Sequence, residues 1–148
     1  QGSMFFNPAK YKVYSNSSFG THKDEIDVAA YTASDGKHYF LNPAHKETQA
    51  LYVADGMDYD ASTMRATKFI PLDNVNFDLV GDTELEQMDF SKAMDKVEVT
   101  TGSVIGFENQ DGRRGILNVK ISSSIYPTIQ CKFQAVAKNK NDFNSQIS

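Results

Sequence analysis

The chain predicts a mainly β fold, an antiparallel β-sandwich of jelly-roll type with one or two short helices. Three observations carry that expectation. The last third alternates apolar and polar residues around a polar turn, Asn109-Gln110-Asp111-Gly112. An earlier stretch repeats the pattern around Ser34-Asp35-Gly36-Lys37. The segments with any helical character are too short to be stable without packing.

The elements follow in order. Gln1-Gly2-Ser3-Met4 resembles the scar of a removed expression tag, so residues 1–9 are expected to be a tag remnant and a loose leader. Tyr11 and Val13 alternate with Lys10, Lys12 and Tyr14, a short strand. Ser15–Thr21 is a turn cluster. Ile26, Val28 and Ala30 alternate with Asp27, Ala29 and Tyr31. This strand pairs through the Ser34–Lys37 turn with His38–Leu41. Asn42-Pro43 ends that hairpin, because proline donates nothing to a ladder.

Residues 44–52 and 60–66 read as helical turns, with Asp60 as an N-cap before Ala61. Residues 68–80 alternate weakly. Thr83-Glu84-Leu85-Glu86 has a capping-box pattern, and Ser91–Asp95 reads as another short helical turn. Val97 and Val99 open the C-terminal strands. Ser103–Glu108, Arg114–Ile121 and Thr128–Ala137 then form an antiparallel meander with one apolar and one polar face. Val28, Leu117, Val119, Ile129, Cys131 and Phe133 are expected to meet in the core. Residues 10–138 make one domain, and residues 139–148 have no periodicity and are expected to be a disordered tail.

Composition limits the function. A chain of 148 residues buries enough surface to fold without a metal or disulfide. The net charge of −4 and the absence of a Lys/Arg stripe argue against a nucleic-acid partner. No run of apolar residues is long enough for a transmembrane helix. Cys131 is the only cysteine, which excludes an internal disulfide. Its place on the apolar side of a strand makes it a core thiol.

Five groups of residues are weighed as sites. Asp55, Asp58 and Asp60 offer oxygen ligands for Ca²⁺, but without the spacing of an EF-hand loop, so a solvated turn is the simpler reading. Asp24, Glu25 and Asp27 form a second acidic cluster, in which Asp27 would accept a ligand hydroxyl or, more simply, bond a neighbouring strand or loop. His22, His38 and His45 lack zinc-ligand spacing. The chain has no G-x-S-x-G, P-loop or dinucleotide fingerprint, and a carboxylate pair cannot be singled out from 19 acidic residues. Tyr14 and Tyr31 fall on polar strand faces and Tyr52, Tyr59 and Tyr126 in loops, a potential aromatic platform for sugar rings. The alternative is that such rings cover sheet edges.

Several segments also carry a resemblance. Ser18-Phe19-Gly20 with Glu25–Val28, Tyr39–Ala44, Arg65–Phe69, Val104–Phe107 with Asp111–Val119, and Thr128–Lys138 are similar, in order and spacing, to a domain of secreted proteins and lipoproteins of Bacteroidetes. Arg114 stands where that pattern has an aromatic. The resemblance spans residues 18–138. It implies an antiparallel sandwich outside the cytoplasm, in the periplasm or on the outer-membrane surface, with a lipid anchor conceivable in the precursor. It brings no catalytic residues and no cofactor.

The functional expectation is a non-catalytic module binding protein or glycan at the cell surface. Its first alternative is a glycan-binding module of a polysaccharide-uptake system, and its second an unrecognised hydrolase.

Overall fold

A computed structural model describes residues 2–121 and 128–136. Two antiparallel sheets face each other. The first holds five strands in the order β2-β1-β3-β4-β6, from β1 (Gly2–Asn7), β2 (Lys12–Tyr14), β3 (Val28–Thr32), β4 (His38–Leu41) and β6 (Lys96–Val99). The second holds four in the order β5-β7-β8-β9, from β5 (Thr67–Leu72), β7 (Val104–Asn109), β8 (Arg114–Lys120) and β9 (Thr128–Phe133). Helix α1 (Lys46–Ala54) joins β4 to β5, and α2 (Asp82–Gln87) lies between β5 and β6. The chain changes sheets from β4 to β5, β5 to β6 and β6 to β7. All these crossings involve β5 or β6, edge strands of their sheets.

The main core lies between the sheets. Phe6, Val28, Ala30, Phe40, Val97 and Val99 from the first sheet meet Phe69, Ile105, Phe107, Leu117 and Val119 from the second. Two further layers cover the outer faces. On the five-stranded sheet, Phe5, Ala29 and Leu41 pack under Phe19, Tyr52, Tyr59 and Met64. On the four-stranded sheet, Val104 and Ile116 pack under Leu85, with Leu72, Val75 and Met88 around them.

The predicted meander is present. β7 and β8 pair from Val104↔Asn118 to Glu108↔Arg114, and β8 pairs with β9 from Gly115↔Phe133 to Lys120↔Thr128. Gly112 turns the hairpin at φ +82, the left-handed region that favours glycine, and its N–H donates to Asn109 O at 3.0 Å. The β3–β4 hairpin also forms, with Tyr31 opposite Tyr39.

Several expectations change. The loose leader is instead β1, flanked by β2 and β3. Met4-Phe5-Phe6 is an apolar run because both faces of β1 are covered, Phe6 by the main core and Phe5 by the α1 layer. The polar outer face of the meander is only partial: Asn118, Lys120, Thr128 and Gln130 line it on β8 and β9, but every residue of β7 is buried. There the buried Arg114 donates from Nε to Glu108 Oε2 at 2.7 Å and from a terminal nitrogen to Leu85, Glu86 and Met88 carbonyls. Its guanidinium also lies over the Phe90 ring.

Further differences are local. Val97 and Val99 belong to β6 in the other sheet. Ser91–Asp95 is not helical; Met94 bridges Phe69. Gly81, not Thr83, precedes α2, and its N–H donates to Glu84 Oε1 at 2.6 Å. Because β9 is an edge strand, Ile129, Cys131 and Phe133 pack against the core only half-buried, and the strand ends at Phe133 rather than Ala137. Tyr126 and residues 139–148, the expected tail, lie outside the described residues.

Candidate functional site

The loops that meet at one end of the sandwich build a polar cleft of about 180 Å³. Asp27 enters it immediately before β3. Its Oδ1 accepts from Arg65 Nε at 2.8 Å and its Oδ2 from Asn109 Nδ2 at 3.1 Å. Arg65 also donates from a terminal nitrogen to Asp111 Oδ2 at 2.7 Å. One guanidinium thus joins a buried carboxylate to an exposed one. Asn109 in turn accepts from the Asp111 and Arg113 N–H groups, and Gln110 Oε1 accepts from Ala66 N–H. The β7–β8 turn is thereby fastened to the segment before β5.

The β1–β2 turn forms the opposite wall. Asn7 Oδ1 accepts from Lys10 N–H, and the Lys10 ammonium pairs with Glu25. Glu25 also accepts from His22 Nδ1 at 2.8 Å, and the His22 ring stacks on Tyr14 with centroids 4.0 Å apart. Arg113 lies over Phe133 and donates to Gln134 O.

The electrostatics are uneven. Burial pushes the Asp27 carboxyl above the ordinary aspartate range, and the opposing pull of Arg65 does not cancel that rise. Hydrogen bonds from Lys10 and His22 hold Glu25 below the usual glutamate range. A buried, shifted carboxylate in a cleft is a recognised mark of a functional site. Here both of its oxygens already accept hydrogen bonds.

The candidates from sequence are dispersed. Tyr14 is half-buried and stacks on His22, whose partner Glu25 lines the cleft. Tyr31, on the same face of the sheet, meets the Tyr52 ring edge-on. With Tyr52 and Tyr59 buried and the Tyr59 hydroxyl bonded to Pro43 O, these two rings do not build an open platform; they hold α1 to the sheet. Asp60 caps the turn Ala61–Thr63, accepting from Ser62 N–H at 3.0 Å, and Asp55 ends α1. Asp55, Asp58 and Asp60 do not converge, and among the described residues no group of His, Cys, Asp and Glu is placed to hold a metal. The Cys131 thiol faces the core, and burial pushes it up to about 12.

Among the described residues a hydroxyl–imidazole pair is formed by Thr32 Oγ1 with His38 Nδ1 at 2.8 Å. These residues are cross-strand neighbours in the β3–β4 ladder, and among the described residues no carboxylate is bonded to His38. The pair therefore lacks the orienting third group of a nucleophile–base relay.

Sequence reading placed Asp27 correctly as a residue that bonds a neighbouring loop, but missed its partners. Arg65, Asn109 and Asp111 lie 38 to 84 positions from it, so no spacing rule links them. Comparison with protein-family models, with curated proteins and with solved structures finds no match.

Proposed function

We propose that this domain is a non-catalytic binding module, and that it takes its ligand in the Asp27–Arg65–Asp111 cleft. The observation that carries the reading is that each cation lining the cleft is already engaged. Arg65 is shared between two carboxylates, Lys10 is held by Glu25, and Arg113 is engaged with Phe133 and Gln134. Such a surface offers fixed donors and acceptors without a large net charge. It suits a neutral ligand rich in hydroxyl groups, which favours the glycan-binding reading. Location outside the cytoplasm, and service at the cell surface, rest on the resemblance of residues 18–138 alone.

A hydrolase would use Asp27 and Asp111 as its acid and base. The raised Asp27 fits that idea, but its donors do not: Arg65 and Asn109 occupy both oxygens, so Asp27 is positioned as a latch. The test is a titration of isotope-labelled protein with neutral oligosaccharides, followed by amide shifts. Saturable shifts at residues 7–10, 25–27, 65 and 109–113 are expected, weakened about tenfold by Asp111→Ala, the loss of one charge-assisted bond. Turnover of a glycoside that Asp27→Asn abolishes would instead establish the hydrolase.

A further inference from the structure

A second cavity, of about 90 Å³, lies between the sheets where β2 and β9 form their edges. Its lining is apolar: Met4 and Phe6 of β1, Val13 of β2, Ala30 of β3, Ile129 of β9, and Tyr11. Three features separate it from a packing defect. Opening it breaks no ladder, because β2 and β9 are not paired with each other. Tyr11 spans the gap from the β1–β2 turn to the other sheet, its hydroxyl donating to Ile129 O at 3.3 Å and its ring edge-on to Phe6.

The third feature is local backbone. Tyr11 closes the Pro8–Tyr11 turn at φ +55, a left-handed conformation that suits glycine or asparagine and is strained for a bulky residue. The turn would form more easily without the ring. The ring's contacts are with the cavity, yet Tyr11 is 58% exposed and Val13 beside it 49%. The mouth is therefore apolar, accessible and closed by one side chain.

We propose that this cavity binds a small free molecule with a compact branched alkyl end and a single hydrogen-bond donor. The alkyl end fills the space against Phe6 and Ala30. The donor takes the place of the Tyr11 hydroxyl at Ile129 O as the tyrosine ring swings outward. An apolar cavity of roughly 150 Å³ takes up benzene, so this smaller one admits a branched end of about three or four carbons, with the rest of the molecule in the mouth. The site adjoins the polar cleft across the Pro8–Tyr11 turn but does not depend on it.

Protein labelled with ¹³C in its methionine methyls tests the proposal, with isoamyl alcohol as the probe. The Met4 methyl should shift saturably, with a dissociation constant on the order of millimolar for so small a ligand. Met57, Met64 and Met88 should stay unmoved, and glycerol should move none of them. Ala30→Leu fills the cavity and should abolish the shift. Val13→Asp changes only the exposed rim and should weaken binding at least about tenfold, which keeps the test decisive if the filled variant fails to fold. The proposal is overturned if Met4 gives no saturable shift, or if either folded variant binds as well as the parent. It is equally overturned if the shift follows protein concentration rather than alcohol, which would mean a second copy at this edge.

Discussion

The two sides of the sandwich are built differently. On the β5–β6 side the sheets are laced together. Phe69 and Met94 exchange two backbone hydrogen bonds of 2.9 and 2.7 Å. The Asp95 carboxylate takes Lys68 at 2.7 Å, Asn42 Nδ2 at 2.9 Å and His45 at 3.2 Å, while Asn42 Oδ1 accepts from Thr67 N–H. On the β2–β9 side, among the described residues, the sheets are joined by the 3.3 Å hydrogen bond of Tyr11 to Ile129 O, and the space beside it is a cavity. The polar cleft begins at the end of that same side, on the β1–β2 turn. The difference comes from connectivity. Each crossing involves β5 or β6, so backbone donors and acceptors are delivered to that side, whereas β2 and β9 are not paired by their backbones.

The largest effect should come from comparing aromatic truncations. Phe69→Ala, fully buried on the laced side, should destabilise the domain by about 3–5 kcal/mol in chemical denaturation. Phe133→Ala, half-buried on β9, should cost only about 1–2 kcal/mol, since less surface and fewer contacts are lost. Equal losses would break the comparison.

Asp95→Asn comes next, at roughly 2 kcal/mol near neutral pH, because several hydrogen bonds to one charged group weaken together. Burial raises the Asp95 carboxyl, but the Lys68 and Asn42 hydrogen bonds outweigh it and hold it below the ordinary aspartate range. A carboxyl depressed in the folded state stabilises above its unfolded value, about 3.9, and loses that contribution as pH falls through the folded value. The gap between parent and variant should therefore be constant at neutral pH and close in acid; a gap that widened below pH ~4 would contradict the network.

Gly112→Val should cost about 1 kcal/mol or more through its positive φ, without altering either side of the sandwich. The smallest effect is kinetic. A Cys131 thiol raised to about 12 presents almost no thiolate at neutral pH, so a thiol reagent should label it slowly although β9 is an open edge.

What was legible in the sequence is what local pattern can encode. Leu117, Val119 and the Asp111-Gly112 turn announced the β7–β8 hairpin, because a strand exposed to different surroundings on its two faces alternates. β1 was missed because Met4-Phe5-Phe6 is buried on both faces and does not alternate. The polar outer face expected for the meander failed at Arg114. Its charge is buried against Glu108 and three carbonyls, a pairing that local sequence pattern alone does not reveal. The cleft was legible only at its acidic cluster, Asp24, Glu25 and Asp27. Arg65 and Asp111 come from loops brought together by the sheet crossings, so their chemistry appears only once the topology is known.

Native-state hydrogen exchange tests the central claim, that the β2–β9 side is the one free to admit a ligand. Amides in the β1–β2 and β8–β9 ladders should exchange at least about tenfold faster than those in the β4–β6 and β5–β7 ladders, and Phe69 N–H should be protected on its sheet edge by Met94. Equal protection on both sides, or faster exchange at β5 and β6, would contradict it.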